Sequence, residues 1–66
     1  MCLSTVYVKN NGQVETAMQD VSRMVAKNDG MLLVGMFGDE TFVNGRIESI
    51  DYLDGKTTIL KNDSMK

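Results

Sequence analysis

The chain has 66 residues, a formal net charge of −2, no histidine and one cysteine. That length holds one domain; a lone cysteine closes no internal disulfide, and without histidine or paired cysteines there is no closed zinc site. Acidic balance and scattered Lys and Arg argue against a nucleic-acid partner, which needs clustered cations, and the longest apolar run, Met31–Val34, falls far short of the roughly 20 residues that cross a bilayer.

In chain order, Asn10-Asn11-Gly12, Asn28-Asp29-Gly30, Gly38-Asp39, Asn44-Gly45 and Asp54-Gly55 punctuate the sequence. Asn-Gly and Asp-Gly pairs accept the positive φ of tight turns. The first predicted strand is Leu3–Lys9, with Leu3, Thr5 and Tyr7 on one face and Ser4, Val6 and Val8 on the other. Next, Val14, Ala17, Met18, Val21, Met24 and Val25 recur at helical spacing. The residues alone leave a helix over Val14–Lys27 and two strands broken near Met18–Asp20 equally open. Met31–Met36, Thr41–Val43, Arg46–Tyr52 and Lys56–Leu60 follow as strands rich in β-formers. The polar tail, 62–66, is expected to fray.

These elements predict an all-β chain, a small antiparallel barrel of about six to seven short strands spaced by regular turn signals. Phe37 and Phe42 are expected inside. Met18, Met24, Met31 and Met36 read as core filling rather than as a copper(I) thioether site. So small a domain buries only about 60% of its unfolded surface. Self-association is the remaining ordinary source of stability, so a homodimer is expected. No basic segment followed by an apolar stretch opens the chain, which points to the cytoplasm, where a thiol stays reduced.

Cys2 is the candidate metal ligand. A lone cysteine is more often a small buried hydrophobe, but one beside the chain start can reach solvent or a partner chain. Its thiolate and its own backbone nitrogen can close a five-membered chelate. Two copies about a two-fold axis then offer two sulfurs and two nitrogens. Planar coordination of that kind suits Ni(II) or Cu(II). Thiolate reduces Cu(II), which leaves Ni(II) ahead of Cu(I) and Zn(II), at one ion per dimer. Catalysis is not expected. The commonest general base, histidine, is absent, and no base is implied for a cysteine nucleophile. Asp39-Glu40 reads as a solvated turn, and Gly35-Met36-Phe37-Gly38 lacks the Gly-Lys-Ser/Thr ending of a phosphate loop.

The opening Met1-Cys2-Leu3-Ser4-Thr5-Val6-Tyr7 resembles the start of the CooT-type nickel-binding proteins. The similarity continues through Asp20-Val21, Met31–Phe37 followed by Gly38, and Gly45-Arg46-Ile47 leading to Ile50-Asp51. The resemblance implies a small all-β homodimer that helps deliver nickel to carbon monoxide dehydrogenase, with Cys2 matching the family's nickel-binding cysteine. It implies partners among nickel enzymes and other nickel accessory proteins, and no membrane. It also favours strands at Gln13–Met18 and Val21–Lys27 over the helix. Some members of that family are labelled predicted RNA-binding proteins, so a small-barrel RNA binder is the alternative. Tyr7, Phe37, Phe42 and Tyr52 are its only aromatics for stacking bases.

Overall fold

The computed structural model describes residues 3–62; Met1, Cys2 and residues 63–66 lie outside the described residues. Six strands follow one another: β1 (Ser4–Asn10), β2 (Gln13–Ala26), β3 (Met31–Gly35), β4 (Glu40–Val43), β5 (Gly45–Asp51) and β6 (Lys56–Lys61). They form one sheet in the order β4-β3-β2-β1-β6-β5. Every neighbouring pair is antiparallel except β1 and β6, which run parallel from Thr5↔Lys56 to Lys9↔Leu60.

The helical spacing in the second segment is overruled. Gln13–Ala26 is a single 14-residue strand rather than two strands with a gap. It starts at the Asn11-Gly12 turn, where φ is 55° and 81°. Asparagine and glycine are the residues that tolerate this left-handed backbone. Midway, Asp20 also takes φ 55°, and there the strand changes partner. Residues up to Val21 pair with β1, and Val21–Ala26 pair with β3. A left-handed residue in a strand bends it and raises its twist. The bend explains the misleading pattern. Ala17 and Met18 both pack against the core before the bend, and Val21 and Met24 after it, so the side chains that reach the core do not keep a single period of two along the strand.

The sheet curls but does not close, so the expected barrel is corrected to an open, mixed sheet. The reason is covalent. The two edges, β4 and β5, are separated in the chain by Asn44 alone. An antiparallel pair needs a turn of about two residues, and a parallel pair a crossover of a dozen or more. One residue permits only a corner. Gly45 is required there: a Cβ would sit 2.5 Å from the Leu60 carbonyl oxygen and 2.8 Å from Ile59 Cγ2. The corner is fastened from outside by Asn62. Its backbone N–H donates to Asn44 O at 3.0 Å. Its side-chain amide donates to Asn44 Oδ1 at 2.6 Å and Asp29 O at 3.1 Å.

Inside the curl, Val6, Val21, Leu33, Val43 and Ile59 form the buried cluster, with Val8, Ala17, Met18, Met24 and Met31 packed against it. Three of the predicted core residues behave differently. Met36 and Phe37 lie in the β3–β4 turn and are exposed, Phe37 at 85%. Phe42 pairs with Leu32. By strand alternation it faces away from the side of its neighbour Val43, which enters the core, and it is 48% exposed. Period 2, rather than size, decides which large residue points inward. Val34 is buried too, but outside the main cluster.

Candidate metal centre and the groove beside it

Cys2, the expected ligand, lies outside the described residues; the structure does describe the strand that follows it. Leu3 is half-buried and leads directly into β1, which is held between β2 and β6. The start of β1 is fixed from two directions. The Thr5 N–H donates to Gly55 O at 2.9 Å, and the Ser4 and Thr57 hydroxyls share a hydrogen bond of 2.9 Å. Thr57 is only 1% exposed. A buried hydroxyl without a partner is costly, so this bond ties the first turn of chain to β6. No buried side-chain polar atom among the described residues lacks a partner.

Next to Leu3 the curl is open. β2 leaves β1 at Val21 to join β3, and the two strands diverge beyond Ser4↔Val21. The gap is a groove of about 220 Å³. Leu3, Val21 and Thr57 line its inner part; Arg23 and Met24 come from the β2 side, Ile50, Asp51 and Tyr52 from the β5 side. The surface is mostly apolar, with one cation, Arg23, and one carboxylate, Asp51, in its lining. Asp51 is held in place by the turn that follows it: its Oδ1 accepts from the Leu53 and Asp54 N–H groups, each at 3.0 Å. Beyond Asp51, Tyr52 is 82% exposed and Leu53 96%.

The sequence reading named several of these residues, Tyr52 among them as an aromatic for the RNA alternative, but assigned none of them to a groove. A signal for them was present: Tyr52-Leu53 puts two large apolar residues in a turn flanked by Asp51 and Asp54-Gly55, where polar side chains are usual. Arg23 carried no such signal, because its place in the groove depends on the bend at Asp20. Among the described residues no group of three or more His, Cys, Asp or Glu side chains is placed to hold a metal ion. No helix among them is long and apolar enough to cross a membrane.

A family model described as CO dehydrogenase accessory protein CooT matches residues 1–60. The chain belongs to the CooT family. That family is one of accessory proteins to CO dehydrogenase. No curated protein matches the sequence. Among solved structures, a crystal structure described as a candidate CooT from Carboxydothermus hydrogenoformans superposes with a TM-score of 0.85. The alignment covers 94% of this chain and 100% of that one, at 19% identity. At that identity the likeness establishes a shared CooT fold, with the same all-β plan.

Proposed function

We propose that this CooT-family chain is a nickel-binding accessory protein, not an enzyme, which holds Ni(II) between the Cys2 residues of two copies for delivery to a CO dehydrogenase-type enzyme. The observation that carries the reading is the family match, which begins at residue 1 and includes Cys2. Two features support it. One chain assembles no metal-binding cluster among its described residues, so a bound ion would need donors from the chain start and from a second copy. Consecutive Cα atoms are about 3.8 Å apart, so covalent continuity ties the cysteine to Leu3 and the groove it lines.

Each copy supplies a thiolate and the adjacent backbone nitrogen, one soft and one harder donor. Two copies complete a four-donor set of the kind Ni(II) accepts.

The RNA-binding alternative is less well supported. The two most exposed aromatics, Phe37 and Tyr52, sit in separate turns flanked by acids: Asp39 and Glu40 beside the first, Asp51 and Asp54 beside the second. Carboxylates there repel phosphates rather than track them. Native mass spectrometry of the full chain with Ni(II) tests the proposal. The expected result is one ion per two chains, lost in Cys2→Ala while the dimer persists. One ion per chain with undiminished binding by Cys2→Ala refutes it, as does tight, salt-sensitive RNA binding that survives Cys2→Ser in a mobility-shift assay.

A further inference from the structure

We infer that the β3–β4 turn, with Phe37 as its anchor, is the surface by which this chain docks on its client enzyme, at an apolar pocket rimmed by Lys or Arg. The inference rests on the accessory role proposed above and says where the receiving protein takes hold. Phe37 is 85% exposed and Met36 48%. Neither belongs to the buried cluster or packs against it, so the fold itself gains little from a phenylalanine there.

The turn is nevertheless held in shape. The Met36 N–H donates to Asp20 O at 3.0 Å, the Gly38 N–H to Gly35 O at 3.0 Å, and the Gly35 N–H to Asp39 O at 2.7 Å. Gly38 takes φ 90°, a left-handed backbone that glycine adopts without steric cost. The Asp39 carboxylate lies against Gly35, in the space a side chain there would fill. A segment already fixed in one conformation loses little freedom on binding. Aromatic side chains are also enriched among the few residues that carry most of the energy of an interface.

Charge says what kind of partner fits. Asp39 and Glu40 follow Phe37 in the chain, and Asp20 is joined to the turn through the Met36 N–H. All three acids are exposed. Among the described residues the ion pair is Lys9–Glu48, so none of the three meets a cation there. The nearest cation across the ladder, Arg23 opposite Val34, lines the groove instead. A projection with one sign of charge and no recess does not complement itself, because a two-fold contact would set carboxylates against carboxylates. Lys or Arg around an apolar pocket matches it, and such complementarity speeds encounter and disfavours wrong partners.

Position links the turn to the chain start. Ser4 pairs with Val21, and Val21 with Gly35. Neighbouring strands lie about 4.8 Å apart, so the turn begins about 10 Å across the sheet from Ser4, which Cys2 precedes by two residues. A client seated on Phe37 is therefore held beside the start of β1. Met36, Phe37, Asp39 and Glu40 all lie outside the lining of the groove, so docking at the turn leaves that groove uncovered.

Binding of the full chain to a purified, metal-free CO dehydrogenase-type enzyme, followed by biolayer interferometry, tests the surface. Phe37→Ser is expected to raise Kd about tenfold or more, mainly through faster dissociation, with Phe37→Leu in between. Glu40→Lys should slow association and flatten its dependence on salt. Phe42→Ser, at the other exposed phenylalanine, should bind as the unaltered chain does. Circular dichroism and native mass spectrometry should find every variant folded and with the copy number of the unaltered chain. Undiminished binding by Phe37→Ser, an equal loss in Phe42→Ser, a change of copy number in Phe37→Ser, or no binding by the unaltered chain overturns the inference. Nickel titration of the same samples separates the two readings. A Phe37-dependent complex formed by a chain that binds no Ni(II) removes the metal proposal and leaves the docking surface. One Ni(II) per two chains, passed to the enzyme as fast by Phe37→Ser as by the unaltered chain, does the reverse.

Discussion

Replacing Ile59 by alanine should destabilise this protein far more than replacing the larger Phe37. Ile59 is 0% exposed and lies in the buried cluster, pairing with Val8 on one side and Ile47 on the other. Its methyl Cγ2 also faces Gly45 at the β4–β5 corner. Truncating a buried isoleucine to alanine costs about 2–5 kcal/mol, the transfer term plus the cavity left behind. Domains hold about 0.05–0.15 kcal/mol per residue, which for a chain this size is about 3–10 kcal/mol. The change therefore removes a large share of the total. At about 4–8 °C per kcal/mol for a domain of this size, the midpoint should fall by ten degrees or more. Phe37, 85% exposed, should change stability by less than about 0.5 kcal/mol, as surface substitutions do. Urea unfolding followed by far-ultraviolet circular dichroism measures both, at one fixed protein concentration because association shifts the midpoint by mass action. A conservative Ile59→Val should lie between, at about 0.5–1.5 kcal/mol. If Phe37→Ala proves the costlier change, or Ile59→Ala costs under 1 kcal/mol, the core does not lie inside this curl.

Gly45→Ala should be among the more damaging changes at the β4–β5 corner, since Gly45 is buried at the start of β5 and the added methyl meets Leu60 O and Ile59 Cγ2. It should cost about 1–3 kcal/mol, the range for overpacking, and should raise hydrogen exchange in β5 and the end of β6 before the rest of the sheet. Nickel affinity should rise with pH. An ordinary thiol titrates near 8.5, so below that each bound thiolate displaces a proton and weakens binding about tenfold per pH unit. The two thiolates alone should therefore cost about a hundredfold in affinity per unit as pH falls, and protons displaced from the two backbone nitrogens add to that dependence. Isothermal titration in buffers of different ionisation enthalpy counts those protons; a count near zero refutes the thiolate site.

The local pieces of this protein were written in the sequence. Alternation over Leu3–Lys9 put Val6 and Val8 on one face, and the Asn11-Gly12 pair set a tight turn because those residues accept positive φ at little cost. Runs of β-branched residues marked the later strands to within a residue or two. The residues beginning at Met1-Cys2 also carried the family resemblance, and with it the candidate ligand. What tertiary structure decided is everything that depends on partner choice between distant strands. The bend at Asp20 lets β2 pair with β1 and then with β3, and no local pattern separates such a strand from a helix. The single-residue corner at Asn44 keeps the sheet from closing, and it looked in sequence like one more hairpin turn. The groove follows from both: Arg23 and Asp51 are 28 positions apart in the chain and line one groove only because the sheet curls.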